Sequence, residues 1–230
     1  MKEVMSNSLY FGISVTLLGY FAGLFLSRKF KLKILNPMLV SIVLTIITLL
    51  AFDVKYSDYI QSGKYISYLL TPATVCLAIP LYEKIDLLKK NLKAIMAGIL
   101  AGVFTSLFSV LALSILFSLP HEIYASILPK SITTAIGIAV SEEIGGMQVI
   151  TVAVIIATGI FGNVAGEGIC RLLRIRNPIS VGLSFGTAAH ALGTSKALEI
   201  GEAEGAMSGL SIAISGFITA ILAPMFVNFL

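Results

Sequence analysis

The chain has 230 residues, of which 57% are hydrophobic and 12% charged, with a formal net charge of +4 and two cysteines. The charged share is about half the roughly one quarter usual in soluble domains, which excludes an ordinary water-soluble fold. The positive charge does not point to nucleic acid, because the basic residues gather in short segments between apolar runs, where they set orientation in a membrane. Cys76 and Cys170 lie in or beside apolar runs without CxxC or metal spacing, so neither a disulfide framework nor a zinc site is expected, and no cofactor.

Six stretches carry no Asp, Glu, Lys or Arg: 8–26, 34–52, 65–82, 94–118, 146–166 and 205–230. At about 1.5 Å per residue, the 25 residues of 94–118 exceed the roughly 30 Å hydrocarbon core of a bilayer. The pattern predicts an all-α polytopic membrane protein with about six full spans. The first run is expected to be a retained helix. Its leader balances Lys2 with Glu3, and no small-x-small cleavage pattern follows.

Three basic clusters set the threading: Arg28, Lys29, Lys31 and Lys33; Lys84, Lys89, Lys90 and Lys93; Arg171, Arg174 and Arg176. With all three cytoplasmic, 8–26 runs inward, 38–52 outward, 65–82 inward, 94–118 outward and 146–166 inward. That parity leaves 129–145 no crossing of its own. The segment is predicted to be re-entrant or half of a broken helix. Residues 177–195 are uncharged but rich in glycine and small residues, and are read as a second interrupted segment facing protein or water. A third interruption is expected in 65–82, where Pro72 and Pro80 remove helix donors. The break there would fall across Thr71 and Thr74. Three interruptions in one small chain favour a solute path, since unpaired backbone groups at membrane depth serve a guest in broken-helix transporters. Asn36-Pro37 and Asn177-Pro178 each follow a basic cluster and open an apolar segment. They suggest that the single integral-membrane domain 1–230 consists of duplicated halves, 1–118 and 120–230.

Two segments carry chemistry. In the first, Pro129 suits a helix start, placing Ser131, Thr133 and Thr134 in the first turn beside Lys130. Free N–H groups, hydroxyls and the helix dipole make such an end an anion site. The alternative is that the hydroxyls cap the helix and Lys130 snorkels to the interface. In the second, continuous helix over 187–194 would put Thr187, His190 and Thr194 on one face. His190 is the only histidine in an apolar segment, and is a proton carrier or a donor to a carboxylate. It could equally be a neutral ring bonded to a backbone carbonyl. Lys196 either adds a positive field or pairs with Glu199 at i, i+3. The candidate substrate-binding residues are thus Thr71, Thr74, Lys130, Ser131, Thr133, Thr134, His190, Thr194 and Lys196. No Walker loop, HExxH, nucleophile elbow or triad spacing occurs, so no catalytic residue is assigned and no enzyme is expected.

Several short motifs are familiar together. They are Asn36-Pro37-Met38-Leu39-Val40-Ser41; Pro72 through Tyr82; Leu128-Pro129-Lys130-Ser131-Ile132-Thr133-Thr134-Ala135-Ile136; Gly145-Gly146; and His190-Ala191-Leu192-Gly193-Thr194 through Glu204-Gly205-Ala206. In this order, and over nearly the whole chain, the sequence resembles the LrgB family of bacterial membrane proteins, which includes CidB and a plastidial glycolate/glycerate transporter of plants. The resemblance implies a multi-pass protein of the bacterial cytoplasmic membrane that carries small monocarboxylates such as glycolate, glycerate or pyruvate. It also implies a small membrane partner of the LrgA/CidA type, described as holin-like, and a link to murein hydrolase control and cell lysis.

The expected function is therefore secondary transport of a small carboxylate, with His190 offering proton coupling. The competing reading is a holin-like pore or lysis regulator acting by assembly. Gly98 and Gly102 form a GxxxG pair suited to helix association in a homo-oligomer, and equally to close helix contact within one chain.

Overall fold

The computed structural model describes residues 10–30, 37–69, 72, 75–76 and 78–230. Among them are ten α-helices and one short 3-10 turn. We number the helices α1 (Phe11–Phe30), α2 (Pro37–Ala51), α3 (Tyr56–Ser67), α4 (Ala78–Glu83), α5 (Ile85–Leu116), α6 (His121–Ile127), α7 (Thr134–Glu143), α8 (Gln148–Leu172), α9 (Pro178–Ile200) and α10 (Glu202–Phe226). Of these α1, α5, α8 and α10 are long and apolar enough to cross a bilayer, and α2 is a shorter apolar helix. The protein is an all-α polytopic membrane protein. Within the 65–82 run, α3 ends at Ser67 and residues 68–69 form a turn, so helix is interrupted there; Pro72, Val75 and Cys76 are helical. Thr71 and Thr74 lie outside the described residues.

Contacts divide the chain into two compact units, Met1–Cys76 and Leu77–Leu230. In the first, α1 packs on α2 and α3 through a glycine face. A Cβ on Gly23 would come within 2.9 Å of the Pro37 Cα, so only glycine allows this approach. The Gly12 N–H donates to Ser62 Oγ at 2.7 Å, and the Thr16 and Tyr59 hydroxyls share a bond of 2.7 Å.

The second unit is built on α5, α8 and α10. Along α5, Ile95, Ile99, Val103, Leu107 and Val110 recur every three or four residues and are all buried, which is the spacing of one helix face. They meet Tyr124, Leu128, Ile132, Met207 and Phe226 in the main core. Asn91 leaves helical geometry (φ −117°, ψ 15°), and its Nδ2 donates to the Leu87 carbonyl at 2.9 Å. The kink falls within the lysine-bearing first turns, after Lys89 and Lys90 and before Lys93.

Two of the shorter pieces are hairpins. Gly182 lies against Glu204, and Gly186 against Ser208 and Ser211, so the first limb of α9 (178–189) runs parallel to α10. Thr194 bonds to Ser208, and Leu198 covers Gly205, so the second limb (191–200) runs antiparallel to it. Gly193 backs onto Phe185 and Ala189, eight and four positions earlier; a straight helix would hold the first pair about 12 Å apart. The reversal is at His190, with φ 42° and ψ −134°. This bears out the interruption expected in 177–195 and corrects its geometry. Thr187, His190 and Thr194 do not share one helix face, because the break falls on His190 itself. The second hairpin is α6–α7. Ser141 meets Thr151, and Gly137 meets Ile155, so α7 runs antiparallel to α8. Gly137 also lies beside the Pro129 carbonyl, and Gly146 beside Ser126, so α6 and α7 fold back on each other around 128–133. Residues 121–145 therefore enter and return, and the predicted segment 129–145 forms the tip and the returning limb.

The GxxxG pair is used within the chain. A Cβ on Gly102 would meet Thr187 at 2.9 Å, and one on Gly98 would meet Leu183 at 3.1 Å. Both glycines face α9 and form no free association surface.

Candidate functional site

The two hairpins enter the second unit from opposite ends. The open end of α9 lies beside the Lys84–Glu202 ion pair (3.0 Å), at the end of the bundle that carries Arg171. The open end of α6–α7 lies beside the α10 C-terminus, where the Tyr124 hydroxyl donates to the Phe226 carbonyl at 2.7 Å.

Their tips reach the same depth. Ser131, at the α6–α7 tip, shares a hydrogen bond of 3.0 Å with Ser106, the midpoint of the uncharged 94–118 run. His190, at the α9 tip, lies against Gly159 near the centre of α8. Its Nε2–H donates to the Ile155 carbonyl at 2.9 Å. The Ile155 side chain in turn lies against Gly137 of α7, so one residue touches both hairpins. The α6–α7 tip thus brings an ammonium, hydroxyls and a helix start to the level at which the α9 tip brings an imidazole.

Each group has a local cause. Pro129 and the Lys130–Ile132 turn precede α7, whose first residue is Thr134. This corrects the expectation that Pro129 begins the helix with all three hydroxyls in its first turn. Thr133 is the N-cap in extended geometry, and its side chain caps no N–H. The first amides of α7 are therefore presented at membrane mid-depth, together with the positive end of the helix dipole. Lys130 Nζ donates to Ser131 Oγ at 2.9 Å. No carboxylate lies within salt-bridge distance of it among the described residues. An ammonium held at that depth without a counter-ion is costly, and an anionic guest would offset the cost.

The bond to Ile155 fixes the neutral His190 ring as the Nε2–H tautomer and leaves Nδ1 as its basic nitrogen. This carbonyl bond was one of the readings open from sequence. Beyond the break, α8 satisfies the loosened backbone: Asn163 Nδ2 donates to the Leu192 carbonyl at 2.7 Å. Thr194 is buried, donating to the His190 carbonyl at 3.1 Å and bonding to Ser208 at 2.7 Å. It braces the tip and faces no open space. Lys196 lies away from the tip. Its Nζ meets Glu199 at 2.9 Å and Glu167 at 3.8 Å, and Glu167 also pairs with Arg171. Two carboxylates thus hold its charge. Ser106, Asn163 and Ser208 were not anticipated. Ser106 and Asn163 could have been flagged as polar residues deep inside uncharged runs.

The chain matches the LrgB-like family model over residues 16–229. It is 36% identical to the antiholin-like protein LrgB of Bacillus cereus (strain B4264) over 222 residues, covering 96% of each chain. It is equally similar to the protein of the same name from Bacillus anthracis (strain CDC 684 / NRRL 3495). The chain belongs to the LrgB family. No solved structure matches it. Both hairpins of this LrgB chain fall inside the matched region, so their tips belong to the family's shared length.

Proposed function

We propose that the protein plays an antiholin-like part in a bacterial cytoplasmic membrane, as the name of its relatives suggests. In this reading it works with a small membrane partner of the LrgA/CidA type in the control of murein hydrolysis and lysis, and as a homo-oligomer. We further propose that its molecular activity is passage of small monocarboxylates of the pyruvate, glycolate or glycerate class. The observation that carries this second step is Lys130, a lysine without a carboxylate partner among the described residues, at the tip of a half-membrane hairpin opposite His190. The carboxylate would take its hydrogen bonds from the Lys130 ammonium, the Ser131 and Ser106 hydroxyls and the first amides of α7, groups that together offset its loss of water. His190 Nδ1 would accept a proton travelling with it.

An open pore is the competing mechanism. The internal use of Gly98 and Gly102 favours the carrier, because that pair no longer supplies a surface for assembly.

Proteoliposomes test the activity. Saturable uptake of at least one of pyruvate, glycolate and glycerate, with exclusion of larger dyes, is the expected result. Uptake no faster than in empty vesicles would overturn the carrier, and dye passage would establish the pore. The antiholin-like role is tested separately in a Bacillus cereus strain lacking LrgB, where the chain should restore the normal onset of lysis. Unchanged lysis on expression would count against it.

A further inference from the structure

The level of the two tips can be read along α10. The first limb of α9 runs parallel to α10, and its Gly186 lies against Ser208 and Ser211. His190 follows Gly186 by one helical turn, about 6 Å, so the α9 tip falls beyond Ser211, toward Ser215. The first turn of α7 arrives at the same place, where a Cβ on Gly216 would meet Ile136 at 3.0 Å. Ser208, Ser211 and Ser215 recur at three and four residues and so share a face, and all three are buried. Ser208 bonds to Thr194 of the second limb, and Ser211 Oγ lies against Gly186 of the first. Ser215 is one turn further along, past the reversal of α9 and beside the donor turn of α7.

The chemistry of this serine is set by where its hydrogen goes. Ser215 Oγ donates to the Ile212 carbonyl of its own helix at 3.2 Å. A hydroxyl has one hydrogen and two lone pairs, so the oxygen is left as an acceptor, and no donor reaches it among the described residues. Nδ1 of the neutral His190 ring is a second acceptor at this depth, because Nε2 carries the hydrogen. The α6–α7 tip is the reverse, since the Lys130 ammonium and the first amides of α7 only donate. Donors thus stand on one side of the tips and acceptors on the other. The contact between Ile136 and Gly216 keeps the two sides within reach of one small molecule.

We propose that Ser215 is a specificity residue of the carboxylate site, and that it selects acids bearing a hydroxyl on the carbon next to the carboxylate. The inference rests on the carrier reading. The carboxylate takes its hydrogen bonds from Lys130 and the α7 amides, and the neighbouring hydroxyl gives its hydrogen to Ser215 Oγ, with His190 Nδ1 beside it. A 2-oxo acid or an unsubstituted acid brings no hydrogen to that side. It leaves a buried acceptor facing another oxygen or a methyl group, and the unmade bond is a cost that the hydroxy acid escapes.

Uptake into proteoliposomes holding the full chain tests this with labelled glycolate and labelled pyruvate, each competed by unlabelled glycolate, pyruvate or acetate. Glycolate should compete about tenfold better than either other acid, the scale of one unmade hydrogen bond. Ser215→Ala should bring that ratio close to one by weakening glycolate, with pyruvate and acetate unchanged. Ser211→Ala, one turn away and covered by Gly186, should keep the wild-type ratio. Equal competition by the three acids, or a preference for pyruvate, would sink the selectivity and leave the carrier standing. A glycolate preference that survives Ser215→Ala, or a Ser215→Ala protein in which all three acids weaken together, would remove Ser215 from the site. If neither labelled acid, nor glycerate, enters faster than in empty vesicles, the carrier reading itself falls, and this inference with it.

Discussion

At the scale of single residues, the proposed carrier rests on a cation and an imidazole at matching depth. Lys130→Met keeps the length of the side chain and removes its charge. Uptake should fall by about tenfold or more, since a charge-assisted hydrogen bond in a low-dielectric site is among the stronger polar contacts. Lys130→Arg should retain a measurable part of it, and equal uptake in wild type and Lys130→Met would remove the residue from the site. His190 offers a sharper separation. Its φ of 42° is one that side chains with a Cβ rarely adopt. His190→Gly should therefore hold or raise thermal stability, by up to about 1 kcal/mol, while uptake collapses with the imidazole. A glycine variant that melts early would show that the ring chiefly braces the fold. His190→Gln keeps a hydrogen-bonding side chain without a titrating group. If its uptake stays fully pH-dependent, histidine is not the proton carrier.

At the scale of elements, α9 is decided by close approach. A Cβ on Gly186 would meet the Ser208 carbonyl and come within 3.0 Å of its Cα, both backbone atoms that cannot yield. Gly186→Val should destabilise the second unit by about 1–3 kcal/mol, the usual range for overpacking, visible as a lower melting temperature in detergent. Tyr124→Phe tests the other hairpin more gently. It deletes the bond to the Phe226 carbonyl, worth roughly 1 kcal/mol, and should lower the melting temperature while leaving the half-saturation concentration for uptake unchanged. A shift in that concentration would mean that the α6–α7 tip adjusts with its base. The glycine-rich 177–195 segment was legible as an interruption because helices seldom collect so many small residues without a reason. Its reversal was not, since a helical hairpin and a kinked helix share the same periodicity up to the turning residue. Nothing in the one-dimensional pattern marks His190 as that residue in preference to Gly186 or Gly193.

At the scale of the whole molecule, the placing of basic residues distinguishes the two ends of the second unit. Lys84, Lys89, Lys90, Lys93 and Arg171 lie toward the end where α9 opens, whereas Glu122, Glu142 and Glu143 lie toward the end where α6–α7 opens. Positive charge faces the cytoplasm, so a single cysteine replacing Arg174 should be labelled by an impermeant thiol reagent only from inside, and one replacing Glu143 only from outside. Labelling of both from one side would overturn the threading.

The sequence alone determined that lipid solvates this chain, that its elements are helices, that 129–145 and 177–195 are not ordinary spans, and that Lys130, Ser131 and His190 stand in them. Those conclusions depend on quantities local to a segment: the length of an uncharged run, the spacing of prolines and glycines, and the rarity of a charge in an apolar stretch. Tertiary structure alone decided which pieces share a depth. Ser106 joined Ser131, His190 bonded to the Ile155 carbonyl, Lys196 was held by Glu167 and Glu199, and the Gly98/Gly102 pair turned inward to α9. The physical reason is that these meetings join residues tens of positions apart through the packing of whole helices. A neutralising partner or a glycine's neighbour is a property of that packing and leaves no mark on the run of residues around it.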